Sequence, residues 1–103
     1  MGYKVELTLH AQEQIENCIH YVSVTLMNTK AAADILDDIS HTLDELEELA
    51  PSFAFCSDPY LRSRKYQKKP LAKHHYLFIY RVSGDVVYIL GFFHMLENYR
   101  AKL

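Results

Sequence analysis

The chain has only two cysteines, three glycines and three prolines in 103 residues. Cys18 and Cys56 show no CxxC spacing and have no companion cysteines for a zinc site. Sequence alone leaves a bridge between them open, and two free thiols in a reducing compartment are the expected state. No uninterrupted apolar stretch near Met1 marks a secretory signal. The longest apolar run, residues 86–93, is far too short to span a bilayer. Repeats, linkers and low-complexity segments are missing as well. The expectation is therefore one domain over residues 1–103, soluble, cytoplasmic and without membrane association. Half of the residues are hydrophobic, enough for one core, and 23% charged with 13% aromatic is ordinary for a folded protein. A net charge of −2 gives no global sign of a nucleic-acid binder.

Residues 3–8 alternate apolar and polar and read as a half-buried strand, with Thr8 as a hydroxyl cap for the first helix. Ile15, Cys18, Ile19, Val22 and Leu26 keep the spacing of one helical face over residues 10–27. Asn28 and Thr29 break the pattern. A second helix then buries Ala32, Ile35, Leu36, Ile39, Leu43, Leu46 and Leu49, and Pro51 ends it. Residues 51–60 are rich in turn formers. Residues 61–66 read as a strand and 68–73 as a loop around Pro70. The strongest β signal is the pair 75–82 and 86–93 around Ser83, Gly84 and Asp85, a hairpin. Residues 94–103 form a tail with one or two helical turns. The order β-α-α-β-β-β predicts an α+β fold, a helix hairpin packed on one face of an antiparallel-rich sheet. The last two strands are apolar on both faces, so they are central or their second face receives a partner.

Acid is absent from residue 59 to residue 84, and charge is polarised around that gap. Asp34, Asp37, Asp38, Asp44, Glu45, Glu47 and Glu48 crowd the second helix, where a solvated face is the expectation. Arg62, Arg64, Lys65, Lys68, Lys69, Lys73 and Arg81 lie in the gap with aromatics between them. Such a surface suits RNA or an acidic protein segment.

The hairpin register bears on chemistry. A two-residue loop pairs His75 with His94, Leu77 with Phe92 and Arg81 with Tyr88. A three-residue loop pairs His74 with His94. In both cases His94 faces another histidine. Two imidazoles beside a band of cations supply the base, the acid and the charge stabilisation of RNA cleavage, without a metal or other cofactor. Against this stands a strand-capping His94 with His74 and His75 in solvent. Zinc on His74, His75, His94 and Glu97 has no recognised spacing to support it. The aromatics of 76–80 and 92–93 read as core, and Tyr99 as an aromatic in the polar tail.

Leu61-Arg62-Ser63, the run Tyr76 to Val82 ending Tyr80-Arg81-Val82, the Gly84-Asp85 turn, Val87-Tyr88-Ile89, His94 and Tyr99 occur in an order that resembles the RelE/ParE toxin superfamily. The opening strand and the alanine- and glutamine-containing first helix resemble it too. The resemblance implies the toxin of a type II toxin–antitoxin pair, bound in a hetero-oligomer by an antitoxin with an acidic, amphipathic segment. In the ribonuclease branch it implies mRNA cleavage on the ribosome, with Arg62, Arg81, His94 and Tyr99 at the matching catalytic places. Arg64, Lys65, Lys68, Lys69, Lys73, His74 and His75 would then bind RNA. Which of Arg62, Arg64 and Lys65 takes the family's arginine position stays open, because the segment before Tyr76 is longer than in many relatives. Residues 94–99 carry Glu97 and no arginine. The helix hairpin and Tyr80-Arg81-Val82 resemble the branch that inhibits DNA gyrase without chemistry. The histidine and lysine runs tip the balance to mRNA cleavage. A non-toxic relative acting only as the antitoxin's corepressor is the third reading.

Overall fold

Thr8 decides how the chain enters its first helix. Its hydroxyl accepts from the Ala11 amide at 3.2 Å and donates to the Ile89 carbonyl at 2.8 Å, so the helix start is tied to a strand. A computed structural model describes residues 2–103. Strand β1 (Lys4–Leu7) leads into helix α1 (Leu9–His20), which widens into a π-helical turn at Tyr21–Thr25. Asn28 caps α2 (Thr29–Leu49) through its side chain. A 3-10 turn (Ala50–Ser52) and a loop lead to the short helix α3 (Pro59–Ser63), then to β2 (Gln67–Pro70), β3 (Tyr76–Ser83) and β4 (Val86–His94). A last 3-10 turn covers Tyr99–Lys102. Among the described residues no helix is long and apolar enough to cross a membrane.

The sheet order is β1-β4-β3-β2, with β1 parallel to β4 and the other pairs antiparallel. The two long helices pack on one face, as expected for this α+β class. Ala32, Ile35, Ile39 and Leu46 of α2 meet Phe78, Tyr80, Val87, Ile89 and Phe92 of the sheet. Burial of that interface supplies most of the stabilisation. The hairpin strands are central, and their second face has its own small core. Leu77, Ile79 and Phe93 lie there under Cys56 and Leu61. Both thiols are free, and burial pushes each up from its ordinary value.

Four expectations need correction. Residues 61–66 are not a strand. Asp58 accepts from the Leu61 amide, Pro59 opens a helix, and α3 occupies Pro59–Ser63 before Lys65 turns the chain at φ 62°. The strand is Gln67–Pro70, inside the segment read as a loop. Its Gln67 is buried because its amide donates to the carbonyls of Ala50 at 3.2 Å and Phe53 at 2.8 Å. With the Tyr80 hydroxyl, also on Ala50 at 2.6 Å, it satisfies backbone left open where α2 ends. The buried face of α2 also differs. Leu36 and Leu49 are exposed, while Asp38 and Thr42 are buried.

The fourth correction concerns register. The turn is the two-residue Gly84-Asp85, with Gly84 at φ 60°, and Arg81 pairs with Tyr88. Further on, Tyr80 pairs with Ile89 but Ile79 with Gly91, leaving Leu90 as a bulge. The extra residue moves His94 opposite Tyr76, so neither His74 nor His75 faces it. Gln14 of α1 accepts from the Phe92 amide at 2.9 Å beside this bulge. Gly91 leaves room for the Phe93 ring, which a Cβ there would strike. Gly91→Ala is expected to destabilise by about 1–3 kcal/mol, an overpacking cost read from thermal unfolding. An unchanged midpoint would mean that the ring moves aside freely.

Candidate functional site

The residues singled out from sequence are distributed over four places. Arg62, Arg64 and Lys65 sit on α3 and its exit, all exposed. Arg64 donates to the Tyr66 hydroxyl at 3.1 Å, which raises its pKa, and its guanidinium lies over the Tyr60 and Tyr66 rings. None of the three lies in a strand.

The second place is the sheet face opposite the long helices. Alternation along β3 puts Arg81 on the face of Leu77 and Ile79. Its guanidinium lies 5.6 Å from the centre of the Tyr88 ring across the hairpin. Lys68, opposite Ile79, shares that face.

Lys69, Lys73 and His74 belong to a third place, on the helix side. Lys69 lies over the Phe53 ring and 3.9 Å from Glu45. Asp38 of α2, read as one of a solvated acidic row, is 5% exposed. Its carboxylate accepts from the amides of Ala72 at 3.2 Å and Lys73 at 2.9 Å, and contacts His74 Nδ1 at 2.7 Å. Burial alone would push this carboxyl up. The His74 ring and the two amides outweigh it and hold the pKa below the ordinary value. His74 is thereby committed to pinning the loop between β2 and β3, and only its exposed neighbour His75 is free of the helix. A groove of about 580 Å³ opens beside this pair, lined also by Asp34, Asp37 and His41.

The fourth place is the end of β4. His94 Nδ1 accepts from the Leu96 amide at 3.1 Å, which puts the proton of a neutral ring on Nε2. Its ring stands edge-on to Tyr76, with centroids 5.3 Å apart. Glu97 accepts from the His94 amide at 2.8 Å and from Lys102 at 2.6 Å. Burial opposes ionisation of Glu97, but Lys102 and that amide hold its pKa below the usual range. His94 thus has the strand-capping geometry considered from sequence. Tyr76 beside it is pushed up to about 12 by burial and by the Cys18 thiol, so it is protonated at neutral pH. Tyr99 is not a free aromatic of the tail. It packs on Phe93 at 5.8 Å, and burial raises its pKa. Among the described residues no three His, Cys, Asp or Glu side chains share a metal-binding arrangement.

Sequence reasoning missed Asp38, Gln67 and Tyr66. Asp38 carries no local signal, because its partners are 34 to 36 residues away. Tyr66 carries none either, because the strand that sets its register begins at Gln67, at the edge of the segment read as a loop.

A search of curated protein sequences returned no match. Among solved structures, one from the chromosomal ParDE toxin–antitoxin system of P. aeruginosa is similar. It has a TM-score of 0.70 and 19% identity, with 89% of this chain and 95% of that chain covered. At that identity the likeness speaks for the fold. The model of the family described as the ParE toxin of the type II toxin–antitoxin system parDE matches residues 5–99. With nearly the whole chain matched, this protein belongs to the ParE toxin family of type II toxin–antitoxin systems.

Proposed function

We propose that the chain is a non-catalytic toxin that arrests growth by binding DNA gyrase and is held inactive by a cognate antitoxin. The observation that carries this reading is the dispersal of the groups that RNA cleavage needs. A base, an acid and a cation must converge within hydrogen-bond reach of one phosphodiester. Here His94 faces Tyr76 and spends Nδ1 on its own turn, while His74 is bound to Asp38 on the helix side. Arg62 lies on α3 and Tyr99 is packed on Phe93. Membership of the ParE family favours the gyrase-directed branch over the ribonuclease branch toward which the histidine and lysine runs pointed. An antitoxin partner is supported by the family and by apolar side chains left in solvent. Leu96 is 89% and Met27 86% exposed, near Met95 and Leu26 respectively. An amphipathic segment would remove such surface from water.

The test is inducible expression in a bacterial host, wild type beside His94→Gln, with pulse labelling of DNA and protein synthesis. Purified chain would be added in parallel to a gyrase supercoiling reaction. The expected result is that DNA synthesis falls first, supercoiling is inhibited and His94→Gln is as toxic as wild type. Early loss of protein synthesis with cut mRNA, abolished by His94→Gln, would restore the ribonuclease reading. A harmless wild type would leave a corepressor.

A further inference from the structure

Three pairings place a row of side chains across the sheet face opposite the long helices. Arg81 pairs with Tyr88, and Tyr88 with Glu6 of β1. Tyr66 precedes Gln67, whose partner is Tyr80, so the register continued by one residue puts Tyr66 on the Arg81 side. At about 4.8 Å per strand the row from Tyr66 to Glu6 is about 14 Å long. Arg64 extends it, its Nε bonded to the Tyr66 hydroxyl at 3.1 Å. Lys68 flanks it on β2. The one acid of the row, Glu6, is paired with Lys4 at 3.1 Å. α3 covers the half of this face that holds Leu77 and Phe93 and leaves the Arg81 half open. A groove of about 350 Å³ between Tyr66 and Leu90 borders the row.

We infer that this row is a binding platform for single-stranded nucleic acid. Arg64 and Arg81 each lie over a tyrosine ring, at 5.5 Å from the Tyr66 centroid and 5.6 Å from the Tyr88 centroid. A guanidinium held beside a tyrosine in that way can offer a plane to a base and its edge N–H groups to a phosphate. Lys68 adds a backbone contact. Aromatic and guanidinium planes take any base, so recognition is tolerant of sequence and needs an unpaired strand whose base faces are free. An acidic amphipathic peptide fits less well, because it needs apolar sockets beside the cations. Of the large exposed apolar side chains, Tyr21, Val24, Leu26 and Met27 are at the end of the helix hairpin and Met95 and Leu96 come after β4, while Tyr60 and Leu103 border the row. With a chain net charge of −2, binding depends on this local cluster and not on bulk charge. The inference goes beyond the gyrase reading and does not depend on it.

The experiment is fluorescence anisotropy of the purified chain with 15-mer oligo-dT, oligo-rU, a 15-bp duplex and a peptide of alternating acidic and apolar residues. Both single strands are expected to bind at about 10 µM or tighter at low salt, with log K falling by roughly 2–3 per decade of salt for three or four phosphate contacts. The tighter of the two names the strand as DNA or RNA. Arg81→Glu and Tyr88→Leu should each weaken binding about tenfold. Arg64→Glu, at an exposed position, should do the same with little change in thermal midpoint. Equal binding of the duplex with no effect of Tyr88→Leu would overturn the platform, leaving charge alone. Binding of the acidic peptide but neither oligonucleotide would overturn it in favour of a protein partner. Because no gyrase is present, a face that binds nothing leaves the gyrase reading standing, and oligonucleotide binding without supercoiling inhibition sinks only that reading.

Discussion

Asp38→Ala is expected to lower stability by roughly 2–4 kcal/mol, the cost of removing a buried carboxylate from two amides and a ring that then lack a partner. In a chain of this length that corresponds to a fall of about 10–25 °C in the thermal midpoint. Amide exchange at Ala72 and Lys73 should accelerate more than exchange in β3, because the loop loses its side-chain hydrogen bonds to α2. Equal acceleration throughout the sheet would mean a global loss and no local tether. The pH dependence has a definite sign. Asp38 has a folded pKa below its ordinary value, so its ionisation stabilises the fold fully above the unfolded carboxylate pKa of about 3.9. That contribution is lost as pH falls through the lower folded value. The stability gap between wild type and Asp38→Asn should therefore be present above about pH 4 and close below it. A gap that fails to close below about pH 4 would contradict the assignment.

Phe93→Ala should cost about 3–5 kcal/mol, the range for emptying a large aromatic site that relaxes only in part. Phe93 is fully buried in the second-face cluster, with the Tyr99 ring at 5.8 Å and the His10 ring at 6.4 Å. It joins the end of β4, the start of α1 and the terminal 3-10 turn. Its removal should release Tyr99, seen as faster proteolysis after residue 94 at temperatures where α2 and the hairpin remain folded. A loss below about 1 kcal/mol would mean that this cluster is a covering layer and not a core.

Local signals reached some features of this fold and stopped short of both these sites. Thr8 and Asn28 were legible as caps because a cap is made with the next three residues. The hairpin turn was legible because Gly84 accepts a positive φ that few residues tolerate, but the choice between the two registers, and with it the Arg81–Tyr88 pairing, came from the structure. The family resemblance was legible in the succession from Leu61 to Tyr99. The RNA-cleaving centre drawn from it depended on strand parity being kept over ten residues beyond the turn. One bulge at Leu90 broke that parity and turned His94 from a histidine to Tyr76. Asp58-Pro59 contained the start of α3, and the basic run after it masked that signal as a strand.

Local chemistry in the sequence determined the element order, the caps, the turn and the apolar stripes, since each depends on residues a few positions apart. Only the tertiary structure decided which polar groups are buried and which cations share a surface. Asp38 reads as one acid among seven until the loop after β2 closes over it from 34 residues away. Arg64, Tyr66, Arg81 and Tyr88 become neighbours only when three segments align in register. A carboxylate's solvation and a platform's width are properties of what packs across from a residue, and periodicity along the chain carries no record of it.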